Sequence, residues 1–131
     1  CECCSACCEP CCGSDILLAD ILRRRWGFRG YVTSDCWALD DFVKEHRTHA
    51  DNQAAAIAAL RHGVDLECGG AYGKPASEAA PGVFGALLGA ARSGAIAEAE
   101  IDRSLRRLFA IRFRLGLFDP PESVGYSRIP Y

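Results

Sequence analysis

The chain has 131 residues, 50% hydrophobic and 24% charged, with a formal net charge of −2 and a mean hydropathy of +0.01. That balance supplies enough apolar surface for a packed core and excludes a disordered chain. It also excludes nucleic-acid binding through bulk positive charge, and no apolar run is long enough to cross a bilayer.

In chain order, the first twelve residues hold seven of the nine cysteines: Cys1, Cys3, Cys4, Cys7, Cys8, Cys11 and Cys12. The stretch is low in complexity and has no hydrophobic period. It begins with Cys1, and the chain contains no Met, which reads as the mark of a fragment or a processed piece. The spacing C-x-C-C-x2-C-C-x2-C-C fits thiolates around Zn²⁺ or Cu(I). A disulfide knot in an oxidising compartment and a terminus with no selected role fit it as well.

Ser14 is placed to cap a helix over ILLADILRRRW, with Asp15 in its first turn and Gly27 as its end. Ile16, Leu17, Ala19, Ile21, Leu22 and Trp26 are its expected apolar face. Tyr31–Ser34 is β-branched or aromatic and reads as a short strand ending at Asp35-Cys36-Trp37. A charged loop or short helix follows, then an Ala-rich helix over QAAAIAALRH stopped by Gly63. Val64–Glu67 reads as a second strand, with Cys68-Gly69-Gly70 opening the next loop. A helix over 78–94 tolerates Pro81 near its start. Residues 98–115 form the clearest amphipathic helix, with Ile101, Leu105, Leu108, Phe109 and Leu115 as its inner stripe and arginines mostly outside. Residues 119–131 have the Pro, Gly and Ser content of an exit linker.

Strands alternating with helices indicate βα units and a parallel sheet. Two strands alone cannot make a stable one, so the segment reads as part of a larger α/β domain. In a (β/α)8 barrel, reactive groups sit at the C-terminal ends of strands. That directs attention to Asp35, Cys36 and Trp37, and to Asp65, Glu67 and Cys68. Asp35 fits a glycosidase nucleophile, which works with a second carboxyl about 5–5.5 Å away, or simply a loop aspartate. Trp37 fits a sugar-stacking platform or a core residue. Asp65 and Glu67 fit a carboxylate pair, a solvated strand end, or a salt bridge to an Arg. His46, His49 and His62 lack metal-ligand spacing and read as surface residues.

The stretches EPCCGSDILLADILRRRWGFRGYVTSDCWALDDF, AAAIAALRHGVDLECG and GAIAEAEIDRSLRRLFAIRFRLGLFDPP stand in the order and spacing of family 3 glycoside hydrolases. The chain resembles the β-xylosidase and β-glucosidase members of that family. The resemblance implies an α/β fold, a partial (β/α)8 TIM barrel: the last two βα units plus the closing C-terminal helix. It implies Asp35 as the catalytic nucleophile of a retaining enzyme releasing terminal, non-reducing β-linked sugars, with Trp37 and Cys36 as further substrate-contacting candidates. SDC in place of SDW leans towards the xylosidase branch. No metal or other cofactor is implied.

The implied organisation is a Cys-rich terminus at 1–12 replacing a barrel strand, barrel at 13–118, and a linker at 119–131 leading to a second domain. The partners implied are a glycoside or oligosaccharide substrate and the remaining strands and second domain of a longer chain, which would bring the acid/base. Full-length members are often secreted or periplasmic. Where the family typically reads C-A-Y-N-R-x-N-G-E-P-C-C, this chain reads CECCSACCEPCC. The family's sugar-contacting Tyr falls on Cys3, its first Asn on Cys4, its Arg on Ser5 and its Asn-Gly turn on Cys7-Cys8. A metal-binding module and a non-catalytic remnant are the competing readings. Cys36 and Cys68 close adjacent parallel strands, about 4.8 Å apart, which is near enough for a disulfide.

Overall fold

The computed structural model describes residues 9–70 and 81–130. They form a 3-10 turn (Cys11–Gly13), a π-helix (Ile16–Arg25), the short helix α1 (Asp41–Lys44) and helix α2 (Asn52–His62). A 3-10 turn, Val83–Ala86, then runs into α3 (Leu87–Arg92), followed by α4 (Glu98–Arg114) and the 3-10 turns Pro121–Ser123 and Gly125–Arg128. The cysteines up to Cys8 and the expected helix start at 78–80 lie outside the described residues. The helix expected there is described from Val83 onward, beyond Pro81.

Ser14 caps the first helix as its sequence suggests. Its Oγ accepts the Leu17 N–H at 3.3 Å and its carbonyl accepts the Leu18 N–H at 3.0 Å. The helix is wound more widely than expected, however, with the Trp26 N–H returning five residues to Ile21 O at 3.0 Å. This changes its inner face. Residues five apart lie about 140° apart on an α-helix, whereas the wider π turn brings them closer to one face. Leu18 and Arg23 accordingly both lie against Gly63. Ile16, Leu17 and Trp26, expected inside, are exposed, Trp26 by 75%.

The two expected strands reduce to a single parallel bridge between Thr33 and Leu66 among the described residues. The Val32 carbonyl accepts the Asp65 and Leu66 N–H groups at 2.8 and 3.1 Å, and Ser34 N–H donates to Leu66 O at 2.9 Å. A lone parallel pair has no further strand to extend its ladder, which is why the pairing stays short.

Helix α2 matches its sequence signals. The Asp51 side chain accepts the Ala54 N–H at 2.8 Å, and Gly63, at φ 123°, ends the helix. Its buried Ala55, Ala56 and Ala59 let the 83–92 segment approach closely, and Leu60, Val64, Val83 and Leu87 fill the space between. Leu39 and Phe42 complete the core from the α1 side. Gly13 makes room for Phe42, since a Cβ there would stand 3.0 Å from the ring. His49 stacks on Phe42 with ring centres 5.2 Å apart, and His62 Nδ1 donates to Gly13 O. These two histidines are half-buried packing groups, not surface residues. Burial lowers the His49 pKa, helped by His62.

One carboxylate joins the elements that flank the bridge. Asp65 is buried, and its Oδ2 accepts Arg23 Nη2 at 2.6 Å and the Val32 N–H at 3.0 Å. Its Oδ1 accepts Arg107 Nη1 from α4 at 2.7 Å. Burial pulls the Arg23 guanidinium below its ordinary value, Asp65 pushes it back up, and the like charge of Arg107 adds to the lowering. The Asp65–Arg bridge is one of the alternatives the sequence left open, here with two partners. It also turns α4. Ser104 and Leu108 are buried with Ile101, Arg107 and Ile111 half-buried, while Leu105, Phe109 and Leu115, expected inside, are exposed. Phe109 and Phe113 meet Phe118 on that outer side, with ring centres 6.0 and 4.7 Å away. The turns at 121–123 and 125–128 give the expected linker local structure.

Removing one partner of a buried ion pair leaves the rest unpaired. Asp65→Asn is therefore expected to cost about 3–5 kcal/mol, read as a lower urea midpoint. Asp20→Asn, which breaks exposed pairs with Arg24 and Arg25, is the control and is expected to cost under about 1 kcal/mol.

A second ion pair gives a pH signature. Glu100 of α4 accepts Arg61 Nε of α2 at 2.8 Å and reaches back to the Ala97 N–H at 3.0 Å. The Arg61 hydrogen bond, with the Ala97 N–H, holds the Glu100 pKa at about 2, below its ordinary 4.5. The folded value lies below the unfolded one, so this contribution is complete above about 4.5 and is lost as pH falls towards 2. The stability difference between the wild-type chain and Glu100→Gln is expected to be constant from pH 7 to 5 and to close below that, as followed by urea titrations at stepped pH.

Candidate active site

The bridge delivers two loops side by side, one after Ser34 and one after Glu67. Asp35 heads the first, exposed to solvent, with Oδ1 accepting the Cys36 N–H at 2.7 Å. Cys36 is disulfide-bonded to Cys68 across the loops, with Cα atoms 4.3 Å apart. The expected pairing is present, near the short end of the usual range.

Trp37 follows with φ 63°, a left-handed backbone. A bulky aromatic residue there is an outlier that costs about 1–3 kcal/mol and persists only when its surroundings hold it. Its N–H donates to Cys68 O at 2.8 Å and its indole Nε1–H to Gly70 O at 3.0 Å. Beneath, the buried Ser34 Oγ accepts the Cys68 N–H at 3.0 Å. The Asp35 and Trp37 carbonyls accept the N–H groups of Ala38 and Asp40, so the chain curls directly from the site towards α1.

Trp37 also borders an open cavity of about 230 Å³ together with Asp40, Lys44, Asn52, Gly70, Pro81 and Gly82. The Lys44 ammonium sits 2.8 Å from Asp40 Oδ1, and this hydrogen bond raises its pKa. One wall is aromatic and the rest carries hydrogen-bonding groups, a combination that suits a polyhydroxylated ligand with an apolar ring face.

The other carboxylates here are already engaged. Asp65 is consumed by its two arginines and the Val32 N–H. Glu67 accepts the Val83 and Phe84 N–H groups at 2.8 and 2.7 Å, capping the turn that leads into α3. Gly69 and Gly82 leave room for it, since a Cβ at either would come within 2.6 Å of its carboxylate. Asp65 and Glu67 are thus held apart in separate networks and do not form the carboxylate pair weighed from the sequence. The capping role was missed because its partners lie 16 and 17 residues downstream, beyond any local capping pattern.

Among the described residues, no three His, Cys, Asp or Glu side chains are gathered to hold a metal ion. Cys12, Cys36 and Cys68 are disulfide-bonded, which removes them as thiolate ligands. The cysteines up to Cys8, with Cys3 at the expected sugar-contacting position, lie outside the described residues.

A family model described as the glycosyl hydrolase family 3 N terminal domain matches residues 3–111. A xylan 1,4-beta-xylosidase of Xylanibacter ruminicola is 40% identical over 123 residues, covering 94% of this chain and 13% of that protein. A probable beta-D-xylosidase of Arabidopsis thaliana is 34% identical, covering 92% of this chain and 14% of that protein. Among solved structures, a β-glucosidase of Erythrobacter marinus superposes with a TM-score of 0.73 at 34% identity, over 84% of this chain and 13% of that one. A GH3 exo-β-xylosidase bound to a xylobiose aziridine probe shares the fold, with a TM-score of 0.73 at 23% identity over 90% of this chain and 14% of that one. The chain thus spans about one seventh of the length of these relatives. With a match running through both bridge segments and most of α4, the chain belongs to glycosyl hydrolase family 3.

Proposed function

We propose that these residues carry the nucleophile of a retaining β-glycosidase, and that the nucleophile is Asp35. The observation that supports this most is the division of labour among the three acids at the loop ends. Asp65 and Glu67 are committed to arginines and backbone N–H groups, while Asp35 stands exposed, two residues before the Trp37 that borders the cavity.

The chemistry follows from a carboxylate in that place. A general acid protonates the glycosidic oxygen while an Asp35 oxygen attacks the anomeric carbon, giving a covalent glycosyl ester. The same acid, now a base, activates water, which releases the sugar with its original configuration. Trp37 packs its ring on the sugar's C–H face, and Cys36, fixed by its disulfide, borders the same ligand. The β-xylosidases among the relatives favour a terminal β-xylosyl unit, with β-glucosyl next.

The fold reading is the last two βα units and closing helix of a (β/α)8 barrel at 13–118, with 1–12 in place of a strand and 119–131 leading to a second domain. Superposition over a seventh of longer enzymes supports it. So do the exposed Ile16, Leu17, Phe28 and Leu105, which suit burial against neighbouring strands and helices. In this reading the acid/base and further sugar-holding groups belong to those neighbours.

The test grafts residues 13–118 into the Xylanibacter ruminicola xylosidase in place of its equivalent segment. The chimera is expected to hydrolyse nitrophenyl-β-xyloside with retention. Asp35→Gly in it is expected to lower kcat by about 10⁴-fold or more, with azide restoring turnover as a glycosyl azide of inverted configuration. The 131-residue chain alone is expected to show no turnover. A chimera whose activity survives Asp35→Gly would refute the assignment.

A further inference from the structure

We propose that the Cys36–Cys68 disulfide is a redox-sensitive latch that holds Trp37 in its left-handed conformation and so sets the loop carrying Asp35. Its catalytic consequence rests on Asp35 being the nucleophile; the latch itself does not.

Two hydrogen bonds from Trp37 to the second loop end at Cys68 itself and at Gly70, two residues beyond it. The Trp37 N–H reaches Cys68 O and its indole reaches Gly70 O, while Cys68 N–H is held by Ser34 Oγ. The covalent bond lies inside this set, joining Cys36 to Cys68 on either side of the same contact. Left-handed backbone at a tryptophan relaxes unless several constraints oppose it. Without the disulfide, the two short loops lose their one described covalent link, beside a ladder that is one bridge long among the described residues.

Asp35 is coupled to the latch through the backbone, because its Oδ1 accepts the N–H of Cys36 itself. Cys36 is exposed and therefore open to attack. The reductant is a dithiol, a class that reduces accessible protein disulfides. One of its thiolates attacks the Cys36 sulfur, forming a mixed disulfide and expelling Cys68 as thiolate. Its second thiol then displaces Cys36 and closes a cyclic disulfide. Two electrons pass to the protein, and the two protons of the dithiol end on Cys36 and Cys68. The cyclic disulfide form of the same dithiol runs the exchange backwards, taking up the two electrons and two protons as Cys36 and Cys68 rejoin, and Trp37 is reseated.

The test uses the full 131-residue chain carrying Trp26→Phe, which leaves Trp37 as its one tryptophan. Dithiothreitol is expected to make Cys36 and Cys68 alkylatable by iodoacetamide in peptide mass maps. In parallel, Trp37 emission should shift to the red and acrylamide quenching should rise about twofold, as for a local opening, with far-UV circular dichroism unchanged. The Cys36→Ser/Cys68→Ser double variant should show the reduced-state emission from the start and give no response to dithiothreitol. A Cys12→Ser variant should still respond, separating this latch from the disulfide at Cys12.

Alkylation without any change at Trp37, or a Trp37 response surviving in the double variant, overturns the proposal. Loss of the circular dichroism signal on reduction does so too, because the bond would then hold the whole fold and not one loop. None of these measurements reads turnover, so failure of the glycosidase reading, seen in the chimera, is distinct from failure of the latch.

Discussion

Asp65 stands where the pairing of the two bridge segments runs out. With no third strand described beside it, the Val32 N–H turns to a carboxylate oxygen, and the side chain does part of the work of a missing ladder neighbour. A buried carboxylate needs compensating charge, and two guanidinium groups supply more than one. The surplus is met by carbonyls, since Arg23 also donates to Gly30 O and Gly63 O. Its Nε remains buried without a hydrogen-bond partner, a cost of fitting three charges into one space. In return the π-helix, both bridge segments and α4 share a common point. The direction in which residues 34–37 leave the bridge follows from that point.

Above it, the loop ends carry acids of the same chemical type in unlike roles, set by what each finds within reach. Asp65 meets guanidinium groups and becomes a structural anchor. Glu67 meets the free N–H groups at the start of a helical turn and caps it, a favourable place for negative charge. Among the described residues, the Asp35 carboxylate meets its neighbour's N–H and the solvent. A carboxylate in such a position keeps electron density available for an incoming carbon centre, whereas the other two have theirs shared among strong donors.

Much of this was legible in the residues, and the exceptions have physical reasons. Helix α2 was readable because its alanine-rich run favours a helix and Gly63 stops it by local chemistry, while its Asp51 cap was left in the preceding loop. Helix α4 was readable because its period suits an α-helix over seventeen residues. The Cys36–Cys68 bond followed from two short β-like segments each closed by a cysteine. The π winding escaped, because apolar periodicity assumes 3.6 residues per turn. The inner face of α4 was right at Ile101 and Leu108 and wrong elsewhere for a related reason: hydrophobicity placed Leu105, Phe109 and Leu115 inside, while the attraction of Asp65 for Arg107 decided the rotation. Both arginine partners of Asp65 lie 42 residues from it along the chain, so no window of local sequence could name them. The fully engaged Glu67 looked as available as Asp35 for the same reason.

The π winding also gives the first helix a tolerance in residue number. Its outward positions, Arg24 and Arg25 among them, tolerate exchange because only surface pairs depend on them. Deleting one residue between Leu18 and Arg23 would leave them four apart and favour the ordinary α winding, in which residues four apart share a face. The guanidinium would then keep the side of the helix that faces Gly63, and Asp65 would keep its counter-ion with one residue fewer. The wider winding thus takes up one residue more than the anchoring of Asp65 requires, and a one-residue gap there would do less harm than the loss of Arg23 itself.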